Sequence, residues 1–149
     1  MSADAPREEA YFDTSVLVKQ YVEEAGSVTA RRLFLRFQVV SSALTPVEMM
    51  SALARRRAAG ETPAAHVERA LTQIHVERGH WRLIRIDPLV LGRAEALVRD
   101  HTLRTLDAIH VASALVYGDA LGVRLPFVTA DERQRDAAAR LALDVVRVG

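Results

Sequence analysis

The stretch "AYFDTSVLVKQYVEE", residues 10–24, decides how the whole chain is read. Residues 9–13 read as a short buried strand entering Asp13. A helix then begins near Ser15, with Val18, Tyr21 and Val22 spaced along one face. A carboxylate buried without partners is costly. Asp13 must therefore reach an edge of the fold or find a partner, and the hydroxyls of Thr14 and Ser15 follow it at once.

The same strand-then-helix grammar repeats outward from this stretch. Val28, Leu33, Leu35 and Phe37 mark a second helix, and "QVVSSAL" (38–44) reads as a second strand. In "TPVEMMSALARRRAAG", Thr45 is placed as an N-cap, Pro46 as the first helical residue and Gly60 as the stop. The next helix runs from Thr62-Pro63 to Gly79, with Val67, Leu71 and Ile74 facing inward. "WRLIRI" (81–86) is a third strand, and Asp87-Pro88 opens a helix carrying Val90, Leu91, Ala94, Leu97 and Val98. "TLDAIHVASALVYG" is a helix whose Ile109, Ala112, Ser113 and Val116 share a face. "LPFVT" (125–129) is a fourth strand, "ADERQRDAAARLA" a short helix and "LDVVRV" (143–148) a fifth strand. Strands alternating with helices predict an α/β chain with a mainly parallel five-stranded sheet covered on both faces. Ligands of such sheets collect at the carboxyl ends of the strands, near the switch point. Asp13 belongs there.

Composition sets the limits. The 149 residues show no internal repeat or linker and are read as one domain, 1–149. Half are hydrophobic and 26% charged, as in an ordinary globular protein. Zero cysteines exclude disulfides and thiolate metal sites, which suits a reducing cytoplasm. The polar N-terminal "MSADAPREEA" lacks the apolar segment of a secretion signal, and no run approaches a membrane span. The net charge of +1 gives no global attraction for nucleic acid.

Three further acids occupy positions like that of Asp13. Glu48 lies in the first turn after the second strand, Asp107 near the start of its helix, and Asp131 just after the fourth strand. Each has a structural explanation: a capping box from Thr45 to Glu48, a helix-dipole contact for Asp107, an N-cap for Asp131. A helix N-terminus stabilises a carboxylate by roughly 0.3–1 kcal/mol. Two like charges about 4 Å apart at an effective dielectric near 20 repel by about 4 kcal/mol. Capping alone does not hold such a group together if the four acids converge, so protonation or a cation is expected. An all-oxygen donor set suits magnesium or manganese. The five histidines form no zinc motif, and His110 is read as a packed or surface residue. Thr14, Ser15 and Thr129 are placed to orient carboxylates or hold water.

The segments "FDTSVLVKQYVEE", "LTPVEMMSALARRR", "TLDAIHVASAL" and "FVTADERQRDAAARLALDVV" together resemble, in order, the successive motifs of PIN-domain proteins. The likeness spans nearly the whole chain and is nearest to the VapC-like toxins of toxin–antitoxin pairs. It implies a three-layer α/β/α sandwich and a metal-dependent ribonuclease. The family's four acids fall on Asp13, Glu48, Asp107 and Asp131. Asp13 and Asp107 are expected to bind the metal, with Glu48 and Asp131 acting directly or through water. The resemblance further implies cleavage that leaves a 5′-phosphate, a small antitoxin partner and a possible homodimer. Arg55, Arg56 and Arg57 are candidates for holding the RNA backbone. The alternatives are a non-catalytic module of the same fold and an aspartyl-phosphate phosphotransferase. The latter lacks its second aspartate, since Ser15 stands two residues after Asp13, and its late lysine, since Lys19 follows the first strand.

Overall fold

In the computed structural model, which describes residues 5–141 and 143–149, the strand before Asp13 forms as β1 (Glu9–Phe12) and the helix after it as α1 (Thr14–Tyr21). There follow α2 (Ser27–Arg36), β2 (Gln38–Ser42), α3 (Thr45–Ala58), α4 (Ala64–Glu77), a 3₁₀ turn at Arg78–His80, β3 (Arg82–Ile84) and α5 (Pro88–His101). The chain closes with α6 (Thr105–Leu121), β4 (Pro126–Thr129), α7 (Glu132–Arg140) and β5 (Asp144–Arg147). Met1–Asp4 of the polar N-terminal stretch, and Ala142 of the stretch assigned to the last helix, lie outside the described residues.

The strands lie in the order β3-β2-β1-β4-β5, and every pairing is parallel. The chain walks outward from β1 to β3, then returns to place β4 on the other side of β1. Adjacent β1 and β4 therefore mark the switch point, where loops diverge and leave a crevice beyond the strand ends. Successive residues of β1 face opposite sides. Ala10 and Phe12 join a core with Val16, Leu17, Met49, Leu53, Val67 and Ile74, under α1 to α4. Tyr11 joins a second core with Val90, Leu97, Ile109, Val111 and Phe127, under α5 to α7. This is the expected three-layer sandwich.

Several local expectations need correction. Thr45 is not the N-cap of α3: Leu44 takes that place without a side-chain bond, and Thr45 is buried with its hydroxyl 2.7 Å from that of Ser41. The capping box between Thr45 and Glu48 is thus absent, and Glu48 is free to point elsewhere. Val28, Leu35, Leu91 and Val98 are exposed, while Ala30, Val90, Ala94 and Leu97 carry the buried faces of α2 and α5. The helix α6 has no single inward face. Residues 108–115 are all buried, because α6 lies on the sheet and is flanked by α5 and α7. His110 is among them, which rules out its reading as a surface residue.

Candidate active site

Asp13 leaves β1 at the switch point and caps α1, and it is fully buried. Its Oδ1 accepts from the Ser15 hydroxyl at 2.6 Å and from the Val16 amide at 3.2 Å. Its Oδ2 accepts from the Thr129 hydroxyl, at the end of β4, at 2.5 Å. The cap of α1 is therefore Asp13, and Thr14 and Ser15 are free for other work. Burial pushes the Asp13 carboxyl above its usual range, against the lowering effect of Ser15, Thr129 and His110. A nearby cation would relieve that desolvation.

Glu48 projects from the first turn of α3 toward α1 and α6. Its Oε1 accepts from the Thr14 hydroxyl at 3.0 Å and lies 2.6 Å from Nε2 of His110. The other His110 nitrogen, Nδ1, is 2.8 Å from the Tyr11 hydroxyl. Burial, with the charges of Asp13 and Glu48 adding to it, holds the Tyr11 phenol well above its usual range. The chain Tyr11–His110–Glu48 thus crosses from one layer of the sandwich to the other over the sheet edge. Sequence reasoning discounted His110. The available signal was its spacing: three residues after Asp107, it shares a face of α6 with that acid.

Asp107, half-buried in the first turn of α6, accepts at Oδ1 from the side-chain amide of Gln134 at 2.8 Å. Gln134 is a buried residue of α7 that no motif singled out, and its Oε1 has no donor among the described residues. Asp131 caps α7, its Oδ1 accepting from the amides of Arg133 and Gln134 at 2.8 and 3.1 Å. Each of the four carboxylates also has protein donors of its own.

An open groove of about 910 Å³ adjoins these groups, with Thr14, Ser15, Glu48, Arg55, Arg56 and Asp131 in its walls. The arginine triplet divides. Arg55 lines the groove and, among the described residues, donates only to Ser51. Arg56 lines it too but is engaged by Glu24 and Glu61. Arg57 lies outside the groove lining and pairs with Glu68 on α4 at 3.7 Å. On the other side, Arg104 precedes α6, Arg133 opens α7 and Arg140 closes it, around one small cavity. None of these three has a carboxylate in ion-pair range among the described residues. The sequence reading did not single them out.

The donor set of carboxylates, hydroxyls and an amide fits a hard divalent cation. Among the described residues no three His, Asp or Glu side chains stand together as a ready metal cage. Magnesium does not need one, since it takes one or two carboxylates and keeps several waters. No helix among the described residues is long and apolar enough to cross a membrane.

The chain thus combines a five-stranded parallel sheet, an aspartate at its switch point, helices on both faces and acids at the same edge. The chain belongs to the PIN-domain family, whose model matches residues 10–140. It is similar to ribonuclease VapC46 of Mycobacterium tuberculosis, with 42% identity over 137 residues, 91% of this chain and 95% of that protein. Among solved structures it shares its fold with a toxin–antitoxin complex from Klebsiella pneumoniae, at a TM-score of 0.67 and 19% identity, covering 93% of this chain and 96% of that one. VapC20 of M. tuberculosis, described as a sarcin–ricin-loop-cleaving toxin, follows at 0.65 and 21% identity, covering 93% and 99%.

Proposed function

We propose that this chain is a magnesium- or manganese-dependent endoribonuclease that acts in the cytoplasm as the toxin of a toxin–antitoxin pair. The observation that carries the reading is Asp13: a fully buried carboxylate at the switch point, oriented by hydroxyls from two elements. The near full-length similarity to a protein named as a ribonuclease supports it.

Asp13 and Asp107 would hold the cation, with Glu48 and Asp131 reaching it directly or through water. The cation supplies a water of lowered pKa and neutralises charge at the phosphodiester. The chain's own residues do the positioning. Ser15 and Thr129 fix both oxygens of Asp13, and Gln134 fixes one oxygen of Asp107. Arg55 on one side, with Arg104 and Arg133 on the other, offers phosphate contacts where the acids would otherwise repel RNA. Cleavage that leaves a 5′-phosphate follows the family resemblance. A second copy of the chain would cover exposed Leu91 and Val98 of α5.

Such an enzyme needs restraint inside a cell. A small antitoxin protein could place an arginine among the acids, since its planar fork pairs bidentately with carboxylates. Expression of the chain alone is expected to arrest bacterial growth. Asp107→Asn and co-expression of the antitoxin encoded beside it should each relieve the arrest. Equal toxicity from the Asp107→Asn protein would sink the assignment.

A further inference from the structure

We propose that His110 is a positioning residue for the nuclease site: its Nε2–H anchors Oε1 of Glu48, the Tyr11 hydroxyl holds Nδ1 of the same ring, and Oε2 is thereby left for the reaction. The inference rests on the ribonuclease reading above and assigns a residue that this reading does not require.

Hydrogen-bond accounting carries it. An ionised carboxylate only accepts, so the 2.6 Å contact between Nε2 and Oε1 needs the proton on Nε2. The Tyr11 hydroxyl, 2.8 Å from Nδ1, both donates and accepts, so it satisfies that nitrogen with or without a proton on it. Without a proton on Nε2, two lone pairs would face each other across 2.6 Å. Both ring nitrogens are thus partnered, inside a site where His110 is buried and cannot turn to water. The Thr14 hydroxyl donates to the same Oε1 at 3.0 Å. No described residue donates to Oε2, although Glu48 lines the groove. One oxygen is held from two elements and the other is presented. Partners of this kind commonly matter 10–100-fold for metal affinity or rate, roughly.

Metal-free protein labelled with ¹⁵N reads the first half directly. Nε2 of His110 is expected to carry a proton, and an unprotonated Nε2 overturns the proposal. The second half uses the double variant His110→Leu/Tyr11→Phe, which removes both buried partners together and so avoids leaving one unsatisfied. On total bacterial RNA in manganese its saturating cleavage rate should fall about 10- to 100-fold, while the half-saturating RNA concentration moves less than about threefold. His110→Gln/Tyr11→Phe, whose amide can still donate to Oε1, should recover most of the rate. A merely structural role predicts no such recovery at equal melting temperature. Glu48→Gln separates the two levels. If it cleaves normally, the nuclease role of Glu48 fails. If it is inactive while the Leu/Phe variant is folded and fully active, the positioning role alone fails.

Discussion

The strands β1 and β4 lie side by side, and each is followed by an aspartate that caps the next helix, yet the two carboxylates meet different surroundings. Asp131 is half-buried, and two backbone amides of α7 account for the oxygen it commits. Asp13 is fully buried, and beyond its capping bond it takes hydroxyls from Ser15 and from Thr129 on the neighbouring strand. Capping explains the first residue and leaves the burial of the second unexplained, since a desolvated charge costs more than a cap returns. A shared capping role therefore does not imply a shared function; the second oxygen and the depth decide.

Charge removal at each position tests that difference most strongly. Asp13→Asn is expected to slow RNA cleavage by about 1,000-fold or more, equivalent to about 4 kcal/mol in the barrier. Asp131→Asn keeps the cap and should cost about tenfold. Initial rates on total RNA in manganese provide the measurement, and equal losses would erase the distinction. The next effect is thermodynamic. A cation bound only by the native state at 100 times its Kd should add about 2.7 kcal/mol of stability. Melting curves should show this for the unmodified protein and for Asp131→Asn but not for Asp13→Asn. The smallest effect sharpens the capping half of the comparison. Asp131→Ala should lower metal-free stability by about 1 kcal/mol in urea unfolding, while Asp131→Asn leaves it nearly unchanged.

Legibility in the sequence follows the same divide between local and tertiary causes. The strand leading into Asp13, the Pro46 and Pro88 helix starts and the five-strand alternation are local signals, and all appear in the fold. The buried faces of α2 and α5 were only partly legible. Leu35, Leu91 and Val98 are apolar and exposed, which a periodicity argument cannot distinguish from core. Thr45 looked like a cap because it precedes Pro46, but a hydroxyl partner on β2, Ser41, draws it inside. Tertiary pairing likewise hid the groups that hold the acids. Gln134 meets Asp107 across 27 residues of sequence and His110 meets Glu48 across 62. Neither pairing leaves a mark in local spacing. Only the three-residue step from Asp107 to His110 hinted that the histidine faced the site.

The central claim is that the edge shared by β1 and β4 makes this chain a metal-dependent RNA-cutting enzyme. Its most direct test is to incubate the purified protein with total bacterial RNA and map every new 5′ end, with manganese and with the metal chelated. The account predicts discrete ends bearing 5′-phosphates, formed by the unmodified protein in manganese and lost both on chelation and in Asp13→Asn. Ends that persist undiminished in the Asp13→Asn protein, or under chelation, would contradict it.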